Sequence, residues 1–214
     1  MKALTKTEIY NKVRALLDET AENDADFILT DKDSTELNAI IDEVALLSVR
    51  NVHLGAPYWM LDGETVSETD LKDFKVGDDL VATLSLPKEF LRLVKVKLPS
   101  WSAPVTKVIT EDSPEYRMQA NKYMRGTAAK PVCALVLLAN DTRGLELYSA
   151  TETDDEVSLI ILKEPVWSAD GEINICPRLE NAIIAQITGQ TLLALGENER
   201  AQTYLSLSTN YSQQ

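Results

Sequence analysis

The sequence predicts an α+β fold: a helical bundle built from both ends of the chain, with an antiparallel β domain inserted between them. Three observations predict it. Apolar residues recur at helical spacing over the first 54 residues, they alternate with period 2 from about residue 80 to 176, and helical spacing returns after Pro177. The expected divisions are residues 1–62 for the N-terminal helices, 63–176 for the β insertion and 177–214 for the helices that complete the bundle. A chain of 214 residues can bury an adequate core in either one large domain or two small ones.

The first helix opens on a capping box, with Thr5 and Glu8 three apart so that each can satisfy the other's free backbone N–H. Ile9, Val13, Leu16 and Leu17 then share one face. An acidic linker, AENDADFILTDKD, leads to a second helix from about Asp33 or Ser34. Its predicted stripe is Leu37, Ile40, Ile41, Val44 and Leu47, with the small polar Ser48 next, and Gly55 and Pro57 end it near Leu54. From Gly63 the pattern changes. LVATLSLP, FLRLVKVKLP and APVTKVIT read as half-buried strands punctuated by Pro87, Pro99 and Pro104. PVCALVLLA, LELYSAT and VSLIILKEP follow, separated by NDTRG and TETDDE, and a turn at Asp170–Gly171 precedes EINIC. The β region therefore reads as an antiparallel sheet or small sandwich.

Pro177 suits a first helical position. Leu179, Ile183, Ile184 and Ile187 form a stripe continued by Leu192 or Leu195, Gly196 interrupts it, and ERAQTYLSLSTNY forms a last helix. That last stripe (Ala201, Tyr204, Leu205, Tyr211) is thin for a free helix. Tyr204, Leu205 and Tyr211 are accordingly candidates for a contact with a neighbouring molecule, and a frayed surface helix is the alternative.

Residues that could carry chemistry are sparse. One histidine, His53, at the end of an apolar helix, suits packing or capping better than a catalytic triad. Cys133 and Cys176 are far apart in a pattern without CxxC, which predicts two buried thiols. Asp31, Asp33, Thr35 and Asp42 imitate a calcium loop, but Glu36 stands where its glycine is needed, and an acidic helix start explains them better. Phosphate-cradling glycine motifs are missing. Trp59, Trp101 and Trp167 could line a sugar site, though tryptophans more often pack in cores or interfaces. The reading is a non-enzyme with no catalytic, cofactor or metal residues. The start MKALTKTEIYNKV has no apolar h-region, so no secretory signal is expected, and no apolar run approaches the ~20 residues that span a bilayer.

The net charge of −13 is unevenly distributed. Residues 1–78 carry 8 basic and 17 acidic side chains, whereas residues 88–131 carry 9 basic and 4 acidic. Such polarity favours an ordered partner, with a basic region of one copy meeting an acidic region of another; two solvated faces are the alternative. The basic region holds EDSPEYRMQANKYMRGTAAKPV, where Ser113, Pro114 and Glu115 start a short helix that Gly126 would end. Tyr116 and Tyr123 would lie on one face of it, with Arg117, Lys122 and Arg125 around them. Double-stranded DNA binding would have to overcome the acidic field, so a protein contact built from Tyr and Arg is favoured.

LTKTEIYNKVRALLDE, the strand pair LPKEFLRLVKVKL and above all EDSPEYRMQANKYMRGTAAKPV resemble structural ring proteins of tailed bacteriophages. They are most similar to the head–tail connector (adaptor) proteins of phages related to the crAss-like gut viruses. The likeness runs over about residues 4–205 and rests mainly on 111–132. It implies a helical bundle with an inserted β domain, and a ring, usually of twelve copies, between the portal protein and the next tail or ring protein. It also implies a virion location, made in the host cytoplasm, with DNA only passing through the lumen and no membrane contact. A carbohydrate- or peptide-binding β module on a helical scaffold is the alternative from a different class, and a carboxylate-based hydrolase a weaker third.

Overall fold

The structure, a computed structural model, describes residues 1–21, 31–67, 74–77, 79–138 and 142–213, with the side chains of 18–21 and 31–34 outside that description. Most of the acidic linker lies outside the described residues, as do the side chains of Asp31 and Asp33. The chain is α+β. It divides into a helical unit, Met1–Asp62 with Glu164–Gln214, and a β unit, Gly63–Lys163. The insertion thus ends at 163 rather than at 176. Strand β10 (Glu172–Ile175) pairs antiparallel with β1 (Lys2–Thr5), setting buried Leu4 opposite buried Ile173. A four-residue strand with one buried apolar residue has too little alternation to be read from sequence, so β10's partner was invisible there.

In the helical unit, α1 (Lys6–Ala21) has the predicted cap: Thr5 N–H donates to Glu8 at 2.8 Å, and Glu8 N–H donates to Thr5 Oγ1 at 3.2 Å. Ile9 and Val13 are buried. Helix α2 (Asp31–Gly55) buries Leu37, Ile41, Ala45, Ser48, Val49 and Val52, not the predicted row through Val44 and Leu47. Counting large apolar residues selects Leu47, but the buried row runs through small Ala45 and Ser48. Leu47 is left 52 % exposed.

A 3-10 turn at Pro177–Leu179 leads into α4 (Glu180–Ala194), which is buried on every side and packs against α1, α2 and α5 (Asn198–Tyr211). Such a helix is apolar all round and serves as a core element. Leu192, not Leu195, continues its stripe. Gly196, at φ +86°, ends it: Glu197 N–H reaches Leu192 O and Gly196 N–H reaches Leu193 O, the paired bonds of a Schellman cap. α5 then turns back on α4. Ser208 Oγ donates to Ala182 O at 2.8 Å, Tyr204 Oη donates to Leu16 O at 2.9 Å, and Ala201 is fully buried.

The β unit has two sheets. One is ordered β2 (Glu64–Thr65), β9 (Ser158–Lys163), β5 (Phe90–Lys97). The other is ordered β3 (Lys75–Val76), β4 (Val81–Ser85), β8 (Thr142–Tyr148), β7 (Cys133–Leu138), β6 (Ile109–Thr110). Leu84, Leu93, Val96, Cys133, Leu145, Leu147, Leu159 and Ile161 from both sheets share one core with Trp101 of the segment after β5, the small sandwich among the sequence expectations. Two bulges in β5 break its alternation and bury Leu91 and Val94 as well. The expected strand APVTKVIT contracts to β6, which runs parallel to β7, while Val105 makes only an isolated bridge to Val96. Pro104, which has no N–H to give a ladder, separates the segment from the preceding strand.

A Cβ at Gly189 would stand 2.8 Å from Leu205 Cγ and 3.2 Å from Ala201 O. Helix propensity favours Gly189→Ala by about 1 kcal/mol, but overpacking of this kind costs about 1–3 kcal/mol. Urea unfolding is expected to show a net loss; a gain near the propensity value would mean that α5 does not sit this close to α4.

Lys12 and Lys2 both donate to the Glu180 carboxylate, and these bonds, Lys12's foremost, hold it below its ordinary 4.5. A carboxyl lowered in the folded state contributes stability above its unfolded pKa and loses it as pH falls through the folded one. Glu180→Gln is therefore expected to cost up to about 1 kcal/mol at neutral pH. Denaturation midpoints of the two proteins should converge as pH drops below the ordinary Glu range.

Candidate functional site

The basic stretch that stood out in the sequence lies over the outer face of the five-stranded sheet. Its helix α3 (Pro114–Gln119) starts as expected, with Ser113 Oγ accepting from Tyr116 N–H at 3.2 Å and Pro114 in the first turn. It stops seven residues before Gly126. Asn121 Oδ1 accepts Tyr123 N–H at 3.0 Å, and the backbone closes in turns through Asn121 O instead of continuing as helix. A short polar side chain that bonds its own backbone competes in this way with the helix.

This ending separates the two tyrosines. Tyr116 packs inward beside Ala134, Val136 and Tyr148 on the outer sheet face. Tyr148 Oη donates to Glu146 at 2.6 Å. Burial, then Glu146, pushes both phenols above their ordinary values, so they remain protonated donors. Tyr123 instead is 86 % exposed, with the Lys122 ammonium 5.1 Å from its ring centre.

The arginines are separated as well. Arg125 Nε donates to Gln119 O at 2.9 Å and Nη1 to Asp79 O at 2.6 Å, and the guanidinium lies 5.7 Å from the Tyr148 ring centre. Gln119, itself buried, accepts from Gly126 N–H and donates to Glu115 O. At the loop's base Ser149, held at φ +62°, donates through Oγ to Gly126 O and accepts from Trp101 Nε1 through its carbonyl. Arg125, one of the expected contact residues, is thus engaged within the chain as a staple of the loop. Arg117 and Lys122 are exposed and form no ion pair among the described residues, and Met118 and Met124 are 42 % and 53 % exposed beside them. Composition found the stretch; it could not show which cations were already used, because Gln119, Asp79 and Ser149 carry no signal of their own.

The C-terminal candidates also divide. Tyr204 is 8 % exposed with its hydroxyl on Leu16 O, so it belongs to the core; Leu205 is half-buried against Gly189, and Tyr211 is 39 % exposed. The thin stripe of α5 is supplemented by small residues fitted against α4, which a count of large apolar residues misses.

For chemistry the structure offers little. His53 is buried, its Nε2 accepting Cys176 N–H at 3.3 Å. Both cysteines are free and buried, and burial pushes the Cys133 thiol far up. The Asp42 carboxylate is held by Lys6 at 2.5 Å and by Tyr10 at 2.7 Å. No group of three metal-ligating side chains occurs among the described residues. Asp154 is a structural carboxylate. Burial raises its pKa, but bonds from Ser100 and Thr151 outweigh that and leave it lowered. The β unit's tryptophan, Trp101, is 2 % exposed in the core, and Trp167 lies under Lys6 in the helical unit. A groove of about 710 Å³ in the β unit is lined by Thr65, Lys97, Pro99, Glu156 and neighbours, with no aromatic ring. Among described residues no helix is long and apolar enough to cross a membrane.

The sequence missed a second exposed surface, on the helical unit: Leu47, Leu54, Tyr58 and Trp59, exposed by 41–56 %. Tyr58 and Trp59 meet edge to face at 5.3 Å, and Arg178 fixes their 3-10 turn by donating to Trp59 O.

Arg125→Ala is expected to cost about 2 kcal/mol, the value of charge-assisted bonds to carbonyls, whereas Arg117→Ala should stay within about 0.5 kcal/mol. Thermal melts of the two variants check this; equal effects would refute the division of roles.

Proposed function

We propose that the chain, which matches no protein-family model and no curated protein, is a virion structural protein, a head–tail connector (adaptor) subunit that forms a ring between portal and tail and lets DNA pass. The observation that carries this reading is the pairing of opposite surfaces on one chain. The helical unit holds 8 basic against 18 acidic side chains, a net −10, while the β unit presents Arg117, Lys122 and Tyr123 at an exposed knuckle. A closed ring needs two complementary surfaces on each subunit. The long helices α1, α2, α4 and α5 of the helical unit are compatible with the bundle that the resemblance implies, and a net-negative ring adds few phosphate-neutralising contacts to retain DNA. The carbohydrate-module reading has less support, since its one tryptophan in the β unit is buried and the groove there has no ring on which a sugar could stack.

Negative-stain imaging of the purified protein, alone and with its portal, tests the proposal. Closed rings, free or seated on the portal, are the expected result. Monodisperse monomers in both samples, combined with a saccharide- or peptide-dependent rise in Tm, would overturn it.

A further inference from the structure

We propose that the outer face of α2 is the seat for the 117–124 knuckle of a second copy of this chain; the identity of the occupant rests on the ring reading above. Glu36, Glu43, Leu47 and Leu54 stand at i, i+7, i+11 and i+18, which at 100° per residue places them on one narrow stripe. All four are exposed. The stripe is acidic at its start and apolar at its end, and the exposed Tyr58 and Trp59 follow it in sequence. Arg50, 14 residues after Glu36, lies on the edge of this stripe, where Glu164 at 3.1 Å offsets its charge.

The knuckle carries the complement. Arg117 and Lys122 are cations to set against Glu36 and Glu43. Met118, Tyr123 and Met124 are apolar side chains to set against Leu47, Leu54 and the aromatic pair. Both surfaces combine the residue types that concentrate binding energy, with aromatic rings held rigid on one side and adaptable methionines on the other. Among the described residues, the side chains named on each surface are exposed. Each copy offers one seat and one knuckle, so a contact that is not reciprocated within one pair is heterologous and passes from subunit to subunit, as the ring reading requires.

Six side chains on the seat and five on the knuckle are fewer than the roughly 20–30 residues a side of a standard interface, so the contact falls below the ~1,200 Å² at the small end of that class. A single contact is therefore weak, and ring closure, which makes the last contact intramolecular, supplies the rest. The cations and carboxylates are solvent-exposed, so ionic strength screens them over about 10 Å, and assembly is expected to weaken with salt.

Disulfide trapping tests this directly, and the burial of Cys133 and Cys176 keeps the background low. Leu47→Cys and Tyr123→Cys proteins are prepared separately, mixed at low salt and oxidised. The expected product is a mixed 47–123 dimer, several-fold above either same-site dimer. Adding Glu43→Lys to the first protein, or Lys122→Glu to the second, should lower its yield, and combining both should restore it. Same-site dimers alone, or yields indifferent to both charge reversals, overturn the seat. If wild-type rings still form by negative stain, the ring reading survives that result; if neither rings nor mixed dimers form, with or without portal, both fail.

Discussion

The helical unit depends on the burial of α4 around its whole circumference. Ala182, Ile183, Ile184, Ala185, Ile187, Thr188, Gly189, Thr191 and Leu192 are all buried. The buried polar groups of that helix have little to bond to: Thr188 Oγ1 donates to Ile184 O at 2.9 Å, whereas Thr191 Oγ1 has no hydrogen-bond partner among the described residues. The surrounding helices then have to match its surface. Small residues lie along the contacts, Ala45 and Ser48 on α2 and Ala201 and Ser208 on α5, and these rather than the largest apolar residues define the buried rows. The displacement of Leu47 and Leu54 to the surface follows from that requirement.

A different principle holds the β unit's irregular segments. Its sheets share an apolar core, but the long excursions between strands have little apolar surface to bury. They are tied instead by polar side chains that satisfy several backbone groups: buried Asp154 joins residues 100 and 151, buried Gln119 joins 115 and 126, and half-buried Arg125 joins 119 and 79. Such groups contribute only about 1 kcal/mol per neutral bond, yet leaving one unsatisfied costs more than making it gains. The loops are therefore fixed in one geometry. Left-handed backbone at Leu80 and Ser149, unfavourable for residues with a Cβ, occurs at the ends of these ties.

What the sequence made legible follows the same division. Local rules transferred well: the Thr5–Glu8 box, the Ser113–Pro114 start, the Gly196 stop and most strand runs need only neighbours in sequence. Partners distant in sequence did not transfer. Nothing in KALT announces that it pairs with EINI 170 residues later. Nothing in QANKYMRG announces that Arg125 turns inward to Asp79 while Lys122 stays outside. The surface at Tyr58 and Trp59 was hidden for the opposite reason, because aromatic residues after a helix are ordinarily read as core.

The fates of the cations in 111–130 bear on the proposed interface more than their number does. An exposed charge on a mobile loop contributes little to a contact, because ordering the loop on binding offsets the gain. Here the ordering is already accomplished by Arg125, Gln119 and Ser149, which pin the knuckle's base to the sheet. Arg117, Lys122 and Tyr123 are thereby carried on a fixed support, and the entropy left to lose is that of a few side chains. The aromatic pair on the helical unit is held in the same manner, by Arg178 on the Trp59 carbonyl. Preorganisation on both sides would let the proposed contact, of modest area and mixed charge, be specific.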